Sequence, residues 1–264
     1  MTKEKTLPLS DRLEMPTIGF GTYLIPDADV GRAVTEALRA GYRHVDTAEG
    51  YQNEAGVGAG LRAFLAEAGA ARDDVFVTTK VFPGNPEWGM PAKTYEQTIA
   101  ALDASLDRLK LDHVDLYLIH APFCAEHRLD QWRALVELRR QGKTRAIGVS
   151  NYSQAHIDEI AAAGLPLPDA NQIELHPWSQ KPALVAYLAA KRILPIAYSS
   201  LVPLSTWRRA EGQDSAKTEE MKADGATSPF KSMAAKYGVT EAQVLLRWAV
   251  QKRYAVLPKS TDPE

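Results

Sequence analysis

The sequence of 264 residues has a single cysteine, Cys124, so no disulfide bond can form within the chain. This favours a reducing compartment. The formal net charge is only −2, which removes the electrostatic argument for binding nucleic acid or an anionic membrane. No apolar run approaches the roughly 18 residues of a membrane helix, and residues 1–16 lack the apolar core of a signal peptide. We therefore expect a cytoplasmic protein that binds neither nucleic acid nor membranes.

Two kinds of ligand motif are also missing. Cysteine, histidine and acidic residues do not cluster at the spacing of metal ligands, so we expect no metal site. The glycine-rich stretch "GVGAG" at 56–60 lacks the full G-x-G-x-x-G spacing and does not directly follow a strand pattern. It is therefore not interpreted as a dinucleotide-binding loop.

Short apolar runs alternate with longer segments whose apolar residues recur every three or four positions. The short runs predict strands at 17–21, 44–48, 75–81, 114–120, 144–150, 170–175, 194–200 and 255–260. The longer segments predict helices at 27–41, 95–111, 129–143, 153–164, 181–192, 229–238 and 240–252. About eight strand–helix repeats in a chain of this length favour a closed (β/α)8 barrel of the TIM type over an open sheet.

Three segments depart from this repeat. Residues 5–17 predict a β-hairpin before the barrel, with its turn near Ser10 and Asp11. Residues 205–229 are polar and have almost no apolar period, which indicates a functional lid or a disordered loop. No helical pattern follows the eighth strand, so the last outer helix is expected to be missing from this sequence, either because it is a fragment or because a tail is absent. Nothing resembles a linker, and residues 1–264 are predicted to form one domain.

Polar side chains end most of the predicted strands. The carboxyl ends of all strands in such a barrel meet at one rim, where active sites lie. Each residue alone has a plain structural explanation: Asp46 as a helix cap, Lys80 as a solvated rim residue, His120 as a core histidine. Burying unpaired charge is costly, however, and so many polar strand ends at one rim indicate a shared site. These residues are Asp46, Lys80, His120, Ser150, Asn151, Gln172, Tyr198, Ser199, Lys259 and Ser260.

The residue types suit the reduction of a carbonyl group. A carbonyl oxygen whose carbon accepts a hydride needs a proton, and Tyr51, five positions after Asp46, has an acidic hydroxyl group. The phenol pKa is ordinarily about 10, and a neighbouring lysine cation lowers it. Asp46 would hold Lys80 charged, and a neutral His120 could hydrogen-bond the carbonyl. This combination predicts general-acid catalysis with electrostatic support.

Five motifs resemble the aldo-keto reductase family in order and spacing. They are "GYRHVDTAEGYQNE" (41–54), "DHVDLYLIHAP" (112–122), "IGVSNY" (147–152), "NQIELHP" (171–177) and "LPKST" (257–261). The resemblance implies NADPH-dependent reduction of an aldehyde or ketone to an alcohol. It also implies a catalytic tetrad of Asp46, Tyr51, Lys80 and His120, with Tyr51 as the proton donor.

The resemblance further implies where the cofactor and the substrate bind. Ser150, Asn151 and Gln172 would bind the nicotinamide carboxamide, Tyr198 would stack on its ring, and Lys259 with Ser260 would meet the 2′-phosphate. The full set of implied cofactor contacts is Gly21, Thr22, Asp46, Ser150, Asn151, Gln172, Tyr198, Ser199, Ser200, Leu201, Lys259 and Ser260. The family often has tryptophan where this sequence has Ala121, which implies a roomier or differently shaped substrate site. The implied substrate contacts are Tyr23, Trp88, Ala121 and Phe123.

Two other interpretations stay open at this point. A different barrel enzyme could use Lys80 to form a Schiff base, as an aldolase does, although Asp46 nearby favours a charged lysine. A non-catalytic protein could keep the NADP(H) site as a sensor or regulatory subunit. In the preferred interpretation the partner is a small-molecule carbonyl compound, and the protein acts as a monomer.

Overall fold

A computed structural model describes residues 6–10, 13–204 and 229–262. Its strands are β1 (Thr6–Ser10), β2 (Leu13–Pro16), β3 (Phe20–Gly21), β4 (His44–Asp46), β5 (Phe76–Val81), β6 (Val114–Ile119), β7 (Thr144–Ser150), β8 (Ala170–Glu174), β9 (Leu194–Tyr198) and β10 (Ala255–Val256). Its helices are α1 (Asp27–Arg39), α2 (Glu54–Ala68), α3 (Tyr95–Leu109), α4 (Arg128–Arg140), α5 (Gln154–Ala162), α6 (Pro182–Ala190), α7 (Pro229–Tyr237) and α8 (Glu241–Gln251).

Eight parallel strands, β3 to β10, pair in the order in which they occur along the chain. A parallel bridge between Ile18 and Val256 joins the two ends of this sheet. There the Gly19 amide donates to the Val256 carbonyl at 2.8 Å, and the Val256 amide donates to the Thr17 carbonyl at 2.9 Å. Because all strands are parallel and the sheet closes on itself, the predicted (β/α)8 barrel is confirmed.

The first and last barrel strands are shorter than predicted. The pattern at 255–260 forms a strand only over Ala255–Val256. Pro258 lacks a backbone N–H, so a regular ladder cannot continue through it. Its carbonyl still accepts a hydrogen bond from the Gly21 amide at 2.9 Å, which holds the two ends of the sheet together at the rim. Within residues 257–262 no helix follows β10.

The predicted hairpin before the barrel is confirmed. Strands β1 and β2 pair antiparallel, and β1 ends at Ser10; Asp11, predicted in the turn, lies outside the described residues. The apolar side chains of the hairpin belong to one buried cluster with inward-facing barrel residues. The hairpin therefore packs against the barrel interior at the amino ends of the strands. The cluster includes Leu7, Leu9, Leu13, Met15, Leu116, Leu118 and Ile196.

Helices fill the segments between strands, and capping residues define several of their starts. Thr94, Ser153 and Thr240 each accept a hydrogen bond from the third residue of the helix that follows. Helix α7 begins at Pro229, the last residue of the segment predicted as a loop. The rest of that predicted loop, residues 205–228, lies outside the described residues. In the part of the chain that is described, no helix has both the length and the apolar character needed to cross a membrane.

Helix α2 contains the "GVGAG" stretch and was not among the predicted helices, because its glycines weaken the apolar pattern. These glycines lie directly against the backbones of neighbouring helices. A methyl group at Gly60 would overlap the backbone of Gly31 in α1, and one at Gly58 would overlap the backbone of Leu109 in α3. The glycines therefore permit close helix packing next to β4 and β5, the strands that carry Asp46 and Lys80.

We expect Gly60→Ala to destabilise the protein by about 1–3 kcal/mol, because the added methyl overpacks the contact between α1 and α2. This loss should appear even though alanine has a helix propensity about 1 kcal/mol better than glycine. Urea unfolding measures the free energy of unfolding. The control is Ala59→Ser at an exposed position of the same helix. Equal stability of the two variants would mean that the close approach imposes no constraint.

Candidate active site

The carboxyl ends of the barrel strands surround a cavity of about 950 Å³. Most residues that the sequence analysis placed in the site line this cavity, and the exceptions are Lys80, which is fully buried, and Ser260. The predicted residues in its wall are Gly21, Thr22, Tyr23, Asp46, Tyr51, Trp88, His120, Ala121, Phe123, Ser150, Asn151, Gln172, Tyr198, Ser199, Ser200, Leu201 and Lys259.

Asp46, Lys80 and Tyr51 form a hydrogen-bonded chain at the rim. Asp46 is the last residue of β4, and Lys80 lies one residue before the end of the neighbouring β5. The Lys80 ammonium donates to Asp46 Oδ1 at 2.5 Å, to the Thr47 carbonyl at 2.8 Å and to Tyr51 Oη at 3.3 Å. All three ammonium protons therefore have an acceptor.

The surroundings of Lys80 keep its side chain charged. Burial by itself lowers the pKa of Lys80, but the Asp46 carboxylate and the Tyr51 phenol offset this effect, and the pKa is raised. A Schiff-base lysine must act as a neutral nucleophile. The buried, ion-paired Lys80 does not meet this requirement, which disfavours the aldolase alternative.

Tyr51 lies on a short 3₁₀ turn, Glu49–Tyr51, which follows β4. Burial raises the pKa of its phenol; Lys80 acts in the opposite direction, and the net pKa is raised. The expectation from the sequence included only the effect of Lys80 on this pKa. The missing contribution is desolvation of the phenolate by the closely packed site, which the sequence pattern does not reveal.

His120 directly follows β6, and its ring packs edge-on to the Tyr51 ring with 5.5 Å between centroids. Burial and the nearby Lys80 cation lower the pKa of His120 to about 3. The imidazole is therefore neutral near pH 7, and one of its ring nitrogens carries a proton. Its Nδ1 is buried and has no hydrogen-bond partner among the described residues.

The ends of β7, β8 and β9 form a polar wall of the cavity. Gln172 donates its amide to Asp46 Oδ2 at 2.8 Å, which links this wall to the ion pair. Ser150 donates to the Gln172 carbonyl at 2.9 Å. Asn151 adopts a left-handed backbone conformation with φ of 61° and accepts a hydrogen bond from the Tyr198 hydroxyl at 2.8 Å. The wall therefore presents hydroxyl, amide and aromatic groups to the cavity.

The remaining predicted residues lie beside β3 and β10, where the barrel closes. Thr22 donates its hydroxyl to the Asp46 carbonyl at 3.0 Å. Lys259 lines the cavity and is exposed. Ser260 lies outside the wall, and its hydroxyl bonds to the backbone of Asp262 instead. The described residues contain no group of three or more histidine, cysteine or acidic side chains arranged for a metal ion.

Aromatic side chains form the outer wall of the cavity. Phe82 and Trp88 stack with 6.4 Å between ring centroids and an interplanar angle of 15°, and Trp88 lies 5.4 Å from Phe123. Trp88 is 64% exposed. Phe82 and Met90 also line the cavity and were not predicted from the sequence. The position of Phe82 directly after β5 was the available signal, whereas no pattern marked Met90.

One ion pair in the cavity wall was likewise not predicted from the sequence. Lys93 Nζ lies 3.3 Å from Glu49 Oε1, and the other Glu49 oxygen accepts the Phe82 backbone N–H at 2.8 Å. Glu49 stands inside the first quoted motif, between Asp46 and Tyr51. Lys93 lies in an irregular loop, where periodicity carries no information.

Known proteins resemble this chain along most of its length. A model of the Aldo/keto reductase family matches residues 17–264. An aldo-keto reductase of Mycolicibacterium smegmatis is 38% identical over 259 residues, which cover 98% of this chain and 84% of the relative. The NADPH-dependent D-xylose reductase of Meyerozyma guilliermondii is 34% identical over 284 residues, which cover 98% of this chain and 86% of the relative.

A crystal structure gives the same result. The structure of an aldo/keto reductase from Brucella melitensis has a TM-score of 0.81 and 35% identity to this chain, and the match covers 99% of this chain and 90% of that one. The family match, the relatives and the barrel agree along nearly the whole sequence. The chain therefore belongs to the aldo/keto reductase family and is an NAD(P)H-dependent oxidoreductase that reduces carbonyl groups.

Proposed function

We propose that this protein uses NADPH to reduce an aldehyde or ketone to an alcohol, with Tyr51 as the proton donor. The observation that carries the proposal is the position of the Tyr51 hydroxyl. It lies in the cavity wall, 3.3 Å from a fully buried lysine cation that is itself paired with Asp46. A non-catalytic binding protein would have no need for a proton donor held beside a buried ion pair.

The polar wall suits a nicotinamide cofactor. Ser150, Asn151 and Gln172 supply the hydroxyl and amide groups that a carboxamide can bond, and Tyr198, proposed to stack on the nicotinamide ring, lies in the same wall. Gly21 lies in the wall of the same cavity, and a Cβ atom there would come within 3.1 Å of the Leu257 carbonyl oxygen. When bound, the reduced nicotinamide supplies a hydride to the carbonyl carbon of the substrate.

The catalytic side chains then act on the carbonyl oxygen. Neutral His120 hydrogen-bonds this oxygen and orients it. Tyr51 Oη donates its proton as negative charge develops there. The Lys80 cation stabilises the resulting phenolate, and Asp46 keeps the lysine charged and in place. Water returns a proton to Tyr51 after the alcohol leaves.

Tyr51→Phe should reduce the turnover number for carbonyl reduction by about 10²–10⁴-fold, because the ring remains but the acid is lost. The cofactor dissociation constant should change little, since the proposed cofactor contacts stay in place. Steady-state kinetics and a fluorescence titration with NADPH measure the two quantities. Turnover at the wild-type rate in this variant would refute the assignment of the proton donor, and a wild type with no turnover would favour the sensor alternative.

Lys259 supports NADPH over NADH. It is an exposed cation in the cavity wall beside β10, and one relative is named as an NADPH-dependent enzyme. A charge-assisted contact to the 2′-phosphate of the cofactor contributes about 1.5–3 kcal/mol. This corresponds to a roughly ten- to hundredfold preference for NADPH.

Lys259→Ala should therefore weaken NADPH binding by about ten- to hundredfold and NADH binding far less. Titrations of both cofactors against both proteins give the four dissociation constants. The control is Lys252→Ala, an exposed lysine outside the cavity wall. Equal effects on the two cofactors would show that Lys259 does not contact the phosphate.

The outer wall indicates a substrate with a flat apolar body. Phe82, Trp88 and Phe123 present aromatic surface, and Tyr23 lies on the cavity wall against Tyr51, with 5.0 Å between the two rings. Ala121 leaves room beside His120. Aromatic contacts add about 0.5–1.5 kcal/mol to the burial of apolar area.

Trp88→Ala should lower kcat/KM for an aromatic aldehyde such as 2-naphthaldehyde by about tenfold, because the flat ring of the aldehyde loses its contact with the Trp88 indole. The value for propanal, which has no aromatic ring to contact Trp88, should remain within about twofold. Tyr237→Ala removes an exposed aromatic side chain outside the cavity wall and serves as the control. A uniform loss for both aldehydes would remove Trp88 from substrate selection.

A further inference from the structure

The turn that carries Tyr51 is connected to the strand that carries Lys80 through the side chain of Glu49. Glu49 begins the 3₁₀ turn that ends at Tyr51. Its Oε2 accepts the backbone N–H of Phe82 at 2.8 Å. Phe82 directly follows β5 and stands two residues after Lys80. One carboxylate therefore spans from the Tyr51 turn to the end of the Lys80 strand.

Lys93 holds the same junction from a second direction. Its ammonium donates to the Phe82 carbonyl at 2.6 Å and lies 3.3 Å from Glu49 Oε1. The N–H and the C=O of Phe82 are thus held by the two members of one ion pair. The backbone of Lys93 is itself fixed, because its carbonyl accepts a hydrogen bond from the buried Gln131 amide at 3.0 Å.

We propose that the Glu49–Lys93 pair is a positioning device that sets the separation between the Tyr51 hydroxyl and the Lys80 ammonium. The proposal rests on the function proposed above for Tyr51 and adds two residues that act through it. Neither residue needs to contact the reacting atoms. Their contribution is to hold the phenol within reach of the cation.

The rest of the site explains why a separate tie is required. Lys80 is held firmly, because Asp46 and the Thr47 carbonyl accept two of its protons. Within the described residues, the backbone bonds of the Tyr51 turn itself are short-range, from the Tyr51 amide to the Ala48 carbonyl and from the Gln52 amide to the Glu49 carbonyl. A loss of the Glu49 tie therefore frees the phenol side of the contact and leaves the lysine side in place.

The burial of the pair distinguishes it from an ordinary surface ion pair. The side chains of Lys93 and Glu49 are only 23% and 26% exposed. Exposed pairs contribute little, because water screens the charges. Here both residues line the cavity, so a bound substrate would displace water next to them and strengthen their attraction.

The proposal predicts the direction of a pH effect. The groups that face the Tyr51 phenol are Lys80, Asp46, Tyr23 and the neutral ring of His120. Of the charged groups, Lys80 lowers the phenol pKa and Asp46 raises it. If Tyr51 moves away from Lys80, the pKa of the phenol rises further. Alcohol oxidation, the reverse reaction, needs the phenolate, and its rate is lost as pH falls through this pKa. The acidic limb of the pH–rate profile for alcohol oxidation should therefore move to higher pH.

The test compares Glu49→Ala, Glu49→Gln and Lys93→Met with the wild type. Glu49→Ala should lower the turnover number by about 10- to 100-fold, as expected for a misplaced catalytic group, and move the acidic limb of alcohol oxidation to higher pH. Glu49→Gln should recover part of both effects, because its amide oxygen can still accept the Phe82 N–H. Lys93→Met should change both quantities in the same direction. The double variant Glu49→Ala/Lys93→Met should have the same turnover number and the same acidic limb as Glu49→Ala, because the two residues act as one unit.

The control is Glu137→Ala. Glu137 is 25% exposed and pairs with Arg140 on the outer helix α4, so it matches Glu49 in exposure but lies away from the cavity wall. This variant should leave the turnover number and the pH limb unchanged. Thermal unfolding of every variant establishes that the fold is retained.

A second measurement does not depend on activity. An ultraviolet titration of the cofactor-free protein follows phenolate formation, and the difference from the same variant with Tyr51→Phe isolates Tyr51 from the other nine of the ten tyrosines. Tyr51 should ionise at higher pH in Glu49→Ala. If Tyr51→Phe alone kept full turnover, the proposed function would fail, while this titration would still report on the pair.

Two results would overturn the proposal. One is a folded Glu49→Ala variant in which both the pH limb and the Tyr51 titration match the wild type, whatever its turnover number. The other is an effect of Lys93→Met confined to KM for carbonyl compounds that bear a carboxylate. That result would assign Lys93 to substrate binding instead of positioning.

Discussion

The buried ion pair between Lys80 and Asp46 is the constraint on which the rest of the site depends. Removing two charges from water is costly, and their attraction offsets that cost only when the remaining hydrogen-bonding groups are also satisfied. Here the Thr47 carbonyl and the Gln172 amide supply those additional bonds. The pair therefore requires several strand ends to meet at one depth in the barrel, and it leaves the third ammonium proton of Lys80 directed at Tyr51.

Close packing at positions outside the cavity helps to bring these strand ends together. The glycines of α2 let three helices approach one another beside β4 and β5. The hairpin β1–β2 packs against the barrel interior at the amino ends of the strands, while the cavity lies at the carboxyl ends. Desolvation in this cavity has two opposite consequences. It raises the pKa of Tyr51, and it lowers the pKa of His120. A phenol that keeps its proton and a neutral imidazole that can donate a hydrogen bond both follow from this burial, which the Lys80 cation opposes at Tyr51 and reinforces at His120.

Asp46 joins the polar wall of the cavity to Lys80 and Tyr51. One of its carboxylate oxygens bonds Lys80, and the other bonds Gln172 on the polar wall. We therefore interpret Asp46 as the link between the proposed cofactor side and Tyr51, the proposed proton donor. Glu49 performs a comparable role on the other side, where it links the Tyr51 turn to the loop that follows β5 and to the aromatic wall that begins with Phe82.

The sequence by itself determined the order of the strands and of every described helix except α2, the barrel class and the polar residues at the strand ends, because these depend on local periodicity and on a topology that brings all carboxyl ends together. It also carried the motifs of the family. Only the tertiary structure decided how these residues pair. Asp46 and Gln172 stand 126 positions apart, yet they share a hydrogen bond. The Glu49–Lys93 pair joins a motif to an irregular loop, and Ser260 turns away from the cavity to bond Asp262. Such contacts, and the desolvation that sets the pKa of Tyr51, arise from packing in three dimensions, which periodicity along the chain does not encode.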